Sequence, residues 1–143
     1  MSADLSAGLE DYLEIICSLI EAGGSVKAAE IARKLNVSRA SVSEALMRLA
    51  DKKLIVYEGR KGLEITPEGL KTAKEVIEKH KTLTALFEEV LGLNREISED
   101  NACRIEHIIN NEVFCRIKNF LEFCRKNNEL IQEFKKENIN NNE

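Results

Sequence analysis

The sequence predicts a mainly α-helical chain interrupted once by a short β-hairpin. Three observations carry this. Apolar residues recur at three- and four-residue spacing through most of the 143 residues, the pattern of amphipathic helices. The spacing changes only between Leu54 and Ile65, where a short β-type run, a glycine-bounded turn and a second short run follow one another. The single proline, Pro67, stands where a helix would begin rather than inside one.

Taken in order, residues 5–22 form the first predicted helix, with Leu9, Tyr12, Leu13, Ile16, Leu19 and Ile20 on one face. Gly23-Gly24-Ser25 ends it. A short second helix over 26–35 stops at Asn36-Val37, and Ser38 caps a third that reaches about Lys53, with Val42, Leu46 and Leu49 turned inward. Leu54–Tyr57 and Leu63–Ile65 are strands joined by the turn Glu58-Gly59-Arg60-Lys61-Gly62. Thr66-Pro67-Glu68 opens a long helix: threonine as cap, proline at the first helical position, an acid in the first turn. That helix runs to about Leu91 and stops at Gly92. Three further helices are expected near 98–110, 112–125 and 127–138.

Bulk properties restrict the function classes. No apolar run approaches the roughly eighteen residues of a membrane span, and the N-terminus lacks a basic segment followed by an apolar one, so a cytoplasmic protein without membrane attachment is expected. Cys17, Cys103, Cys115 and Cys124 form no CxxC pair; in a reducing compartment each is a packing residue or a metal ligand. The net charge of −4 conceals an asymmetry. Between Lys27 and Lys61, nine basic residues stand against four acids, a local +5 that leaves −9 for the remainder. A basic head on an acidic body suits a DNA reader with a separate cation-binding region.

Residues 26–53 fit a helix-turn-helix. Ser38, Arg39, Ala40, Ser41, Ser43 and Glu44 occupy the first turns of its second helix, the part that approaches base edges in the major groove. Arg48 follows on the same helix. Arg60 and Lys61, at the hairpin tip, would lie against the DNA backbone or minor groove. A plainer account makes Glu44 and Arg48 an exposed i,i+4 ion pair and the serines caps; a winged helix that binds protein is also possible.

The predicted helix at 98–110 contains Cys103-x-x-Glu106-His107. At about 100° per residue these side chains share roughly a 100° arc, opposite Ala102, Ile105, Ile108 and Ile109. A thiol, a carboxylate and an imidazole on one face make a ligand set for a first-row divalent ion; the alternative is a solvated face. His80 lies on the apolar stripe of the long helix, where a histidine is commonly a hydrogen-bonded core residue. Asp11 and Glu14, one turn apart on the first helix, read by themselves as surface acids.

The run Glu10-Asp11-Tyr12-Leu13-Glu14-Ile15-Ile16, the helix around Ser38–Ser43, the segment Leu63–Gly69, Lys79-His80 and Ala102–His107 together resemble the diphtheria-toxin-repressor family of metal-dependent transcriptional regulators. The likeness runs from about residue 8 to 125. It implies a winged helix-turn-helix DNA-binding domain over 1–70, a helical dimerisation and metal-binding domain over 71–138, and leaves a disordered tail at 139–143. It also implies a homodimer that represses by binding double-stranded operator DNA when Fe(II) or Mn(II) is bound, with Zn(II) or Co(II) as surrogates. Asp11, Glu14, His80, Cys103, Glu106 and His107 fit the family's ligand positions. In length, and in Asp11 and Glu14, the chain resembles the manganese transport regulator branch, without the SH3-like third domain of the iron branch. Cys103 departs, since the manganese branch has glutamate there and the iron branch cysteine; Thr84 and Glu99 do not reproduce the iron branch's second site. The mixed ligand set favours Fe(II) slightly over Mn(II).

The same residues admit two other functions. Cys-x-x-Glu-His echoes the His-x-x-Glu-His helix of zinc peptidases, but nothing in the sequence marks a substrate cleft or an open coordination position. A winged-helix regulator answering to an organic ligand or a protein would need no metal.

Overall fold

The computed structural model describes residues 5–140, which fall into two compact units divided between Ile77 and Glu78. The first unit contains α1 (Ala7–Glu21), α2 (Ala28–Leu35) and α3 (Arg39–Asp51), then β1 (Ile55–Tyr57), a single 3-10 turn at Gly59–Lys61, and β2 (Leu63–Ile65). α4 (Pro67–Ala85) follows, and the division between the units falls inside it. The second unit continues through a π-helical turn at Leu86–Val90 into α5 (Arg95–Ile105), α6 (Asn111–Lys126) and α7 (Asn128–Asn140).

In the first unit, Leu13, Ile16, Ile31, Val42, Leu46 and Leu49 bury the inner faces of the three helices against one another. Burial of each removes apolar surface worth about 1.5–3 kcal/mol from water. β1 and β2 pair antiparallel, Ile55 opposite Ile65 and Tyr57 opposite Leu63 on the inner face; Val56 and Glu64 face out together. The α2–α3 turn is closed by Asn36 in the left-handed conformation, φ 54°, whose short polar side chain tolerates that region better than most.

The joint between hairpin and α4 is tight. Thr66 Oγ1 accepts from the Gly69 amide at 3.1 Å and lies 2.8 and 2.9 Å from the carbonyl oxygens of Lys53 and Leu54. The Thr66 amide also donates to the Leu54 carbonyl. Gly69 is buried against this carbonyl: a Cβ added there would lie 1.9 Å from the Leu54 oxygen.

In the second unit, α5 and α6 both pack on the Leu86–Val90 turn and α7 packs on α6. Val90, Leu121 and Cys124 form its small core, with Ala85, Leu86 and Ile131 around them. Gly92, at φ 71°, lets the chain leave the π turn, and the Leu93 amide donates back to the Phe87 carbonyl. Two ion pairs tie α6 to the α4 side: Lys118 to Glu78, and Arg125 to Glu89 through two 2.8 Å bonds. The stripe Val113–Cys124 is divided between two environments. Leu121 and Cys124 are core, whereas Val113 and Phe120 are exposed.

Three expectations need correcting. The helix expected at 98–110 begins and ends earlier, because Asn94 caps it by accepting from the Ile97 amide and the chain turns after Ile105. Ile108 and Ile109 are therefore not helical, and Ile108 is exposed. In the tail assigned to 139–143, Ile139 and Asn140 belong to α7; residues 141–143 lie outside the described residues. Finally, the Glu44–Arg48 ion pair offered as the plainer account does not form among the described residues.

Candidate metal centre and DNA-reading helix

The end of α5 determines the geometry of the possible metal site. Cys103 is on the last turn, Glu106 is the C-cap with αR backbone, and His107 is the next residue. Glu106 still continues the helical turn, its amide donating to the Ala102 carbonyl at 2.9 Å, but it does not lie on the solvated face offered as the alternative. Its side chain is fully buried, and that of His107 is only 8% exposed.

The ligand atoms of Cys103, Glu106 and His107 lie within 4.8 Å of one another. His80, on α4, reaches the same carboxylate, its Nδ1 2.6 Å from Glu106 Oε2. The other oxygen, Oε1, is 3.5 Å from His107 Nε2 and accepts no hydrogen bond. A buried polar atom without a partner costs about 1–3 kcal/mol, and a buried charge more. A divalent cation removes that cost, and the donor set of thiolate, carboxylate and imidazole suits Fe(II), Mn(II), Zn(II) or Co(II). The residues fit the group. Asp11 and Glu14 belong to the first unit, half-buried and one turn apart on α1.

The sequence placed Cys103, Glu106 and His107 on one helical face, and their ligand atoms do converge, Glu106 as the αR C-cap and His107 just beyond it. His80 joins through Glu106. Its stripe of apolar neighbours gave no sign of this contact, because the partner is 26 residues away.

The reading head is assembled within the first unit. Ser38 Oγ accepts from the Ser41 amide at 3.1 Å and lies 2.9 Å from Ser41 Oγ, capping α3. Val42, Ala45, Leu46 and Leu49 are buried, so Arg39, Ala40, Ser41, Glu44 and Arg48 are presented to solvent and Ser43 is half-exposed. Arg60 and Lys61 form the exposed 3-10 turn at the hairpin tip. Sequence reasoning passed over Met47, which is 62% exposed. The signal was available: it lies three residues after Glu44 and seven after Ala40.

Comparison with known proteins decides the family. Residues 4–63 match the model described as iron dependent repressor, N-terminal DNA binding domain. Residues 66–133 match the model described as iron dependent repressor, metal binding and dimerisation domain. The HTH-type transcriptional regulator MntR of Bacillus pumilus is 31% identical over 127 residues, covering 89% of this chain and 88% of that protein. The chain belongs to the iron-dependent repressor family. An uncharacterized HTH-type transcriptional regulator of Methanocaldococcus jannaschii is 34% identical over 82% of this chain and 95% of its own length. The diphtheria toxin repressor of Corynebacterium diphtheriae is 34% identical over 83% of this chain, which spans only 53% of that repressor.

Solved structures agree. The manganese regulator SloR superposes with TM-score 0.73 at 27% identity, over 80% of this chain and 54% of that one. IdeR of T. acidophilum gives 0.69 at 31% identity, over 79% and 53%. The chain thus spans about half the length of these two structures. Since the family consists of transcriptional repressors, the peptidase alternative is set aside. No helix among the described residues is long and apolar enough to cross a membrane.

Proposed function

We propose that this chain is a cytoplasmic repressor of metal-homeostasis genes, a homodimer that binds operator DNA when it holds Fe(II) or Mn(II). One observation carries the reading: a fully buried carboxylate, Glu106, has one oxygen on His80 and the other, without a hydrogen bond, beside His107, with the Cys103 thiol in the same cluster. The ligands proposed are Asp11, Glu14, His80, Cys103, Glu106 and His107. Relatives named for manganese and for iron-dependent repression support the choice of metals.

When bound, the cation supplies positive charge that offsets the carboxylates of Asp11, Glu14 and Glu106. His80 holds Glu106 in one orientation, and Cys103 adds a soft donor that favours Fe(II) slightly over Mn(II). Asp11 and Glu14 move with the reading head (1–70) and the other four with the helical domain (71–138), so ligation from both sets would restrict how the head is held. A dimer reads half-sites about 34 Å apart, and restricting its heads to that spacing favours the DNA-competent population.

Operator duplexes selected from a randomised pool provide the test. Binding is measured with Mn(II), with Fe(II) under anaerobic conditions, and with chelator, for wild type and Glu106→Ala. Wild type should bind more tightly by at least tenfold with metal, and the variant should not respond. Equal affinity in every condition would leave a DNA-binding module regulated by something other than metal.

A further inference from the structure

We propose that Met47 is a base-reading residue, and that Ala40, Glu44 and Met47 select an operator half-site in which a cytosine stands between thymines. The inference rests on the DNA-binding reading above. The buried residues Val42, Ala45, Leu46 and Leu49 fix the inner face of α3. At about 100° per residue, Ala40, Glu44 and Met47 fall within roughly 60° of arc on the opposite side, the centre line of its solvent face. Ser41 and Arg48 lie together on one side of this line, where a hydroxyl and a guanidinium meet phosphates.

An unbranched apolar side chain that is 62% exposed on the recognition helix of a basic head is not explained by packing. In the major groove it finds an apolar partner in the 5-methyl group of thymine, and Ala40 offers the same chemistry at shorter reach. The flexible thioether of Met47 lets it follow that methyl without a fixed rotamer. Glu44 lies between them and has no ion-pair partner among the described residues. A carboxylate is repelled by phosphates, so in the groove it is compatible only with a donor, and the cytosine N4 amino group is the one that matches a pure acceptor best. From Ala40 to Met47 the helix rises about 10.5 Å, about three base-pair steps of 3.4 Å, so the three contacts belong to neighbouring base pairs.

The experiment uses the full chain with Mn(II) and a duplex enriched from a randomised pool. Each thymine is replaced in turn by deoxyuridine, which removes only the methyl group, and affinities are read by fluorescence anisotropy. Wild type should lose about threefold to tenfold at one or two uracil positions. Met47→Ala should bind the thymine duplex correspondingly less well and lose its sensitivity at one of those positions; Met47→Gln, which keeps the length, should do the same. Glu44→Gln should relax the cytosine preference by about tenfold. Uniform tolerance of uracil by wild type, or an unchanged uracil penalty in both Met47 variants, overturns the inference while DNA binding stands. If no duplex is enriched or bound, the DNA-binding reading falls and this inference with it.

Discussion

Nδ1 of His80 lies 2.6 Å from Oε2 of Glu106, joining α4 to the turn that ends α5 through a carboxylate with no exposure to solvent. The contact is slightly shorter than the roughly 2.7–2.9 Å usual for a charge-assisted N–H···O hydrogen bond. It fixes one oxygen of Glu106 and leaves the other facing His107, within the cluster that includes the Cys103 thiol.

Replacing His80 by alanine should therefore act on metal affinity without removing every ligand. We expect Mn(II) binding weaker by about a hundredfold or more, since His80 is itself a proposed ligand and loss of its orienting contact alone costs about tenfold to hundredfold. Isothermal titration on His80→Ala and Glu106→Gln provides the check. Unchanged affinity in both would remove Glu106 from the coordination set.

The thiol of Cys103 should tune selectivity more than affinity. Changing Cys103→Glu replaces a soft donor with a hard one, so the preference for Zn(II) over Mn(II) should fall by an order of magnitude or so. Competition titrations with the two ions in wild type and variant measure that ratio directly.

Gly69 gives a prediction whose sign is opposite to helix propensity. Alanine in an ordinary helical position gains about 0.8–1 kcal/mol over glycine. Here its Cβ would lie 1.9 Å from the Leu54 carbonyl oxygen, a backbone atom, so no rotamer change relieves the clash. Gly69→Ala should destabilise the first unit by about 2 kcal/mol or more, seen as a lower urea midpoint. A raised midpoint would mean that the joint is looser than described.

Arg125 and Glu89 supply a pH-dependent term of known sign. The two hydrogen bonds from Arg125 hold the Glu89 carboxyl below its ordinary value. The folded value lies below the unfolded one of about 4.3. The stabilisation is thus fully present above about pH 4.3 and disappears as pH falls through the folded value. Both side chains are about half exposed, so solvent screening limits the effect to under about 1 kcal/mol. The stability difference between wild type and Arg125→Ala should be small at neutral pH and narrow as pH falls below about 4.3.

Much of the fold was legible because its signals are local. Ser38, Thr66 and Pro67 mark helix starts within a few residues, and the inward positions of α3 follow from spacing alone. The candidate ligands of the second unit were legible one by one, but their environment was not. Glu106, the C-cap of α5, is fully buried although it shares a face with Cys103 that could equally read as solvated, and that helix end has no glycine or proline to announce it. The role of His80 depends on a contact 26 residues away, which no periodicity encodes. Met47 escaped notice for a different reason: methionine reads as core until the neighbouring buried positions fix which way its helix faces.

With Leu54 and Gly69 in backbone contact and the strands between them paired residue for residue, the chain has almost no slack from one end of the hairpin to the other. Added or deleted residues can be absorbed only at Gly59–Lys61, where the backbone is solvent-exposed. Variation in length among descendants of this sequence would therefore collect at that tip. Adaptation to differently shaped DNA backbones could then proceed without disturbing the joint beneath it.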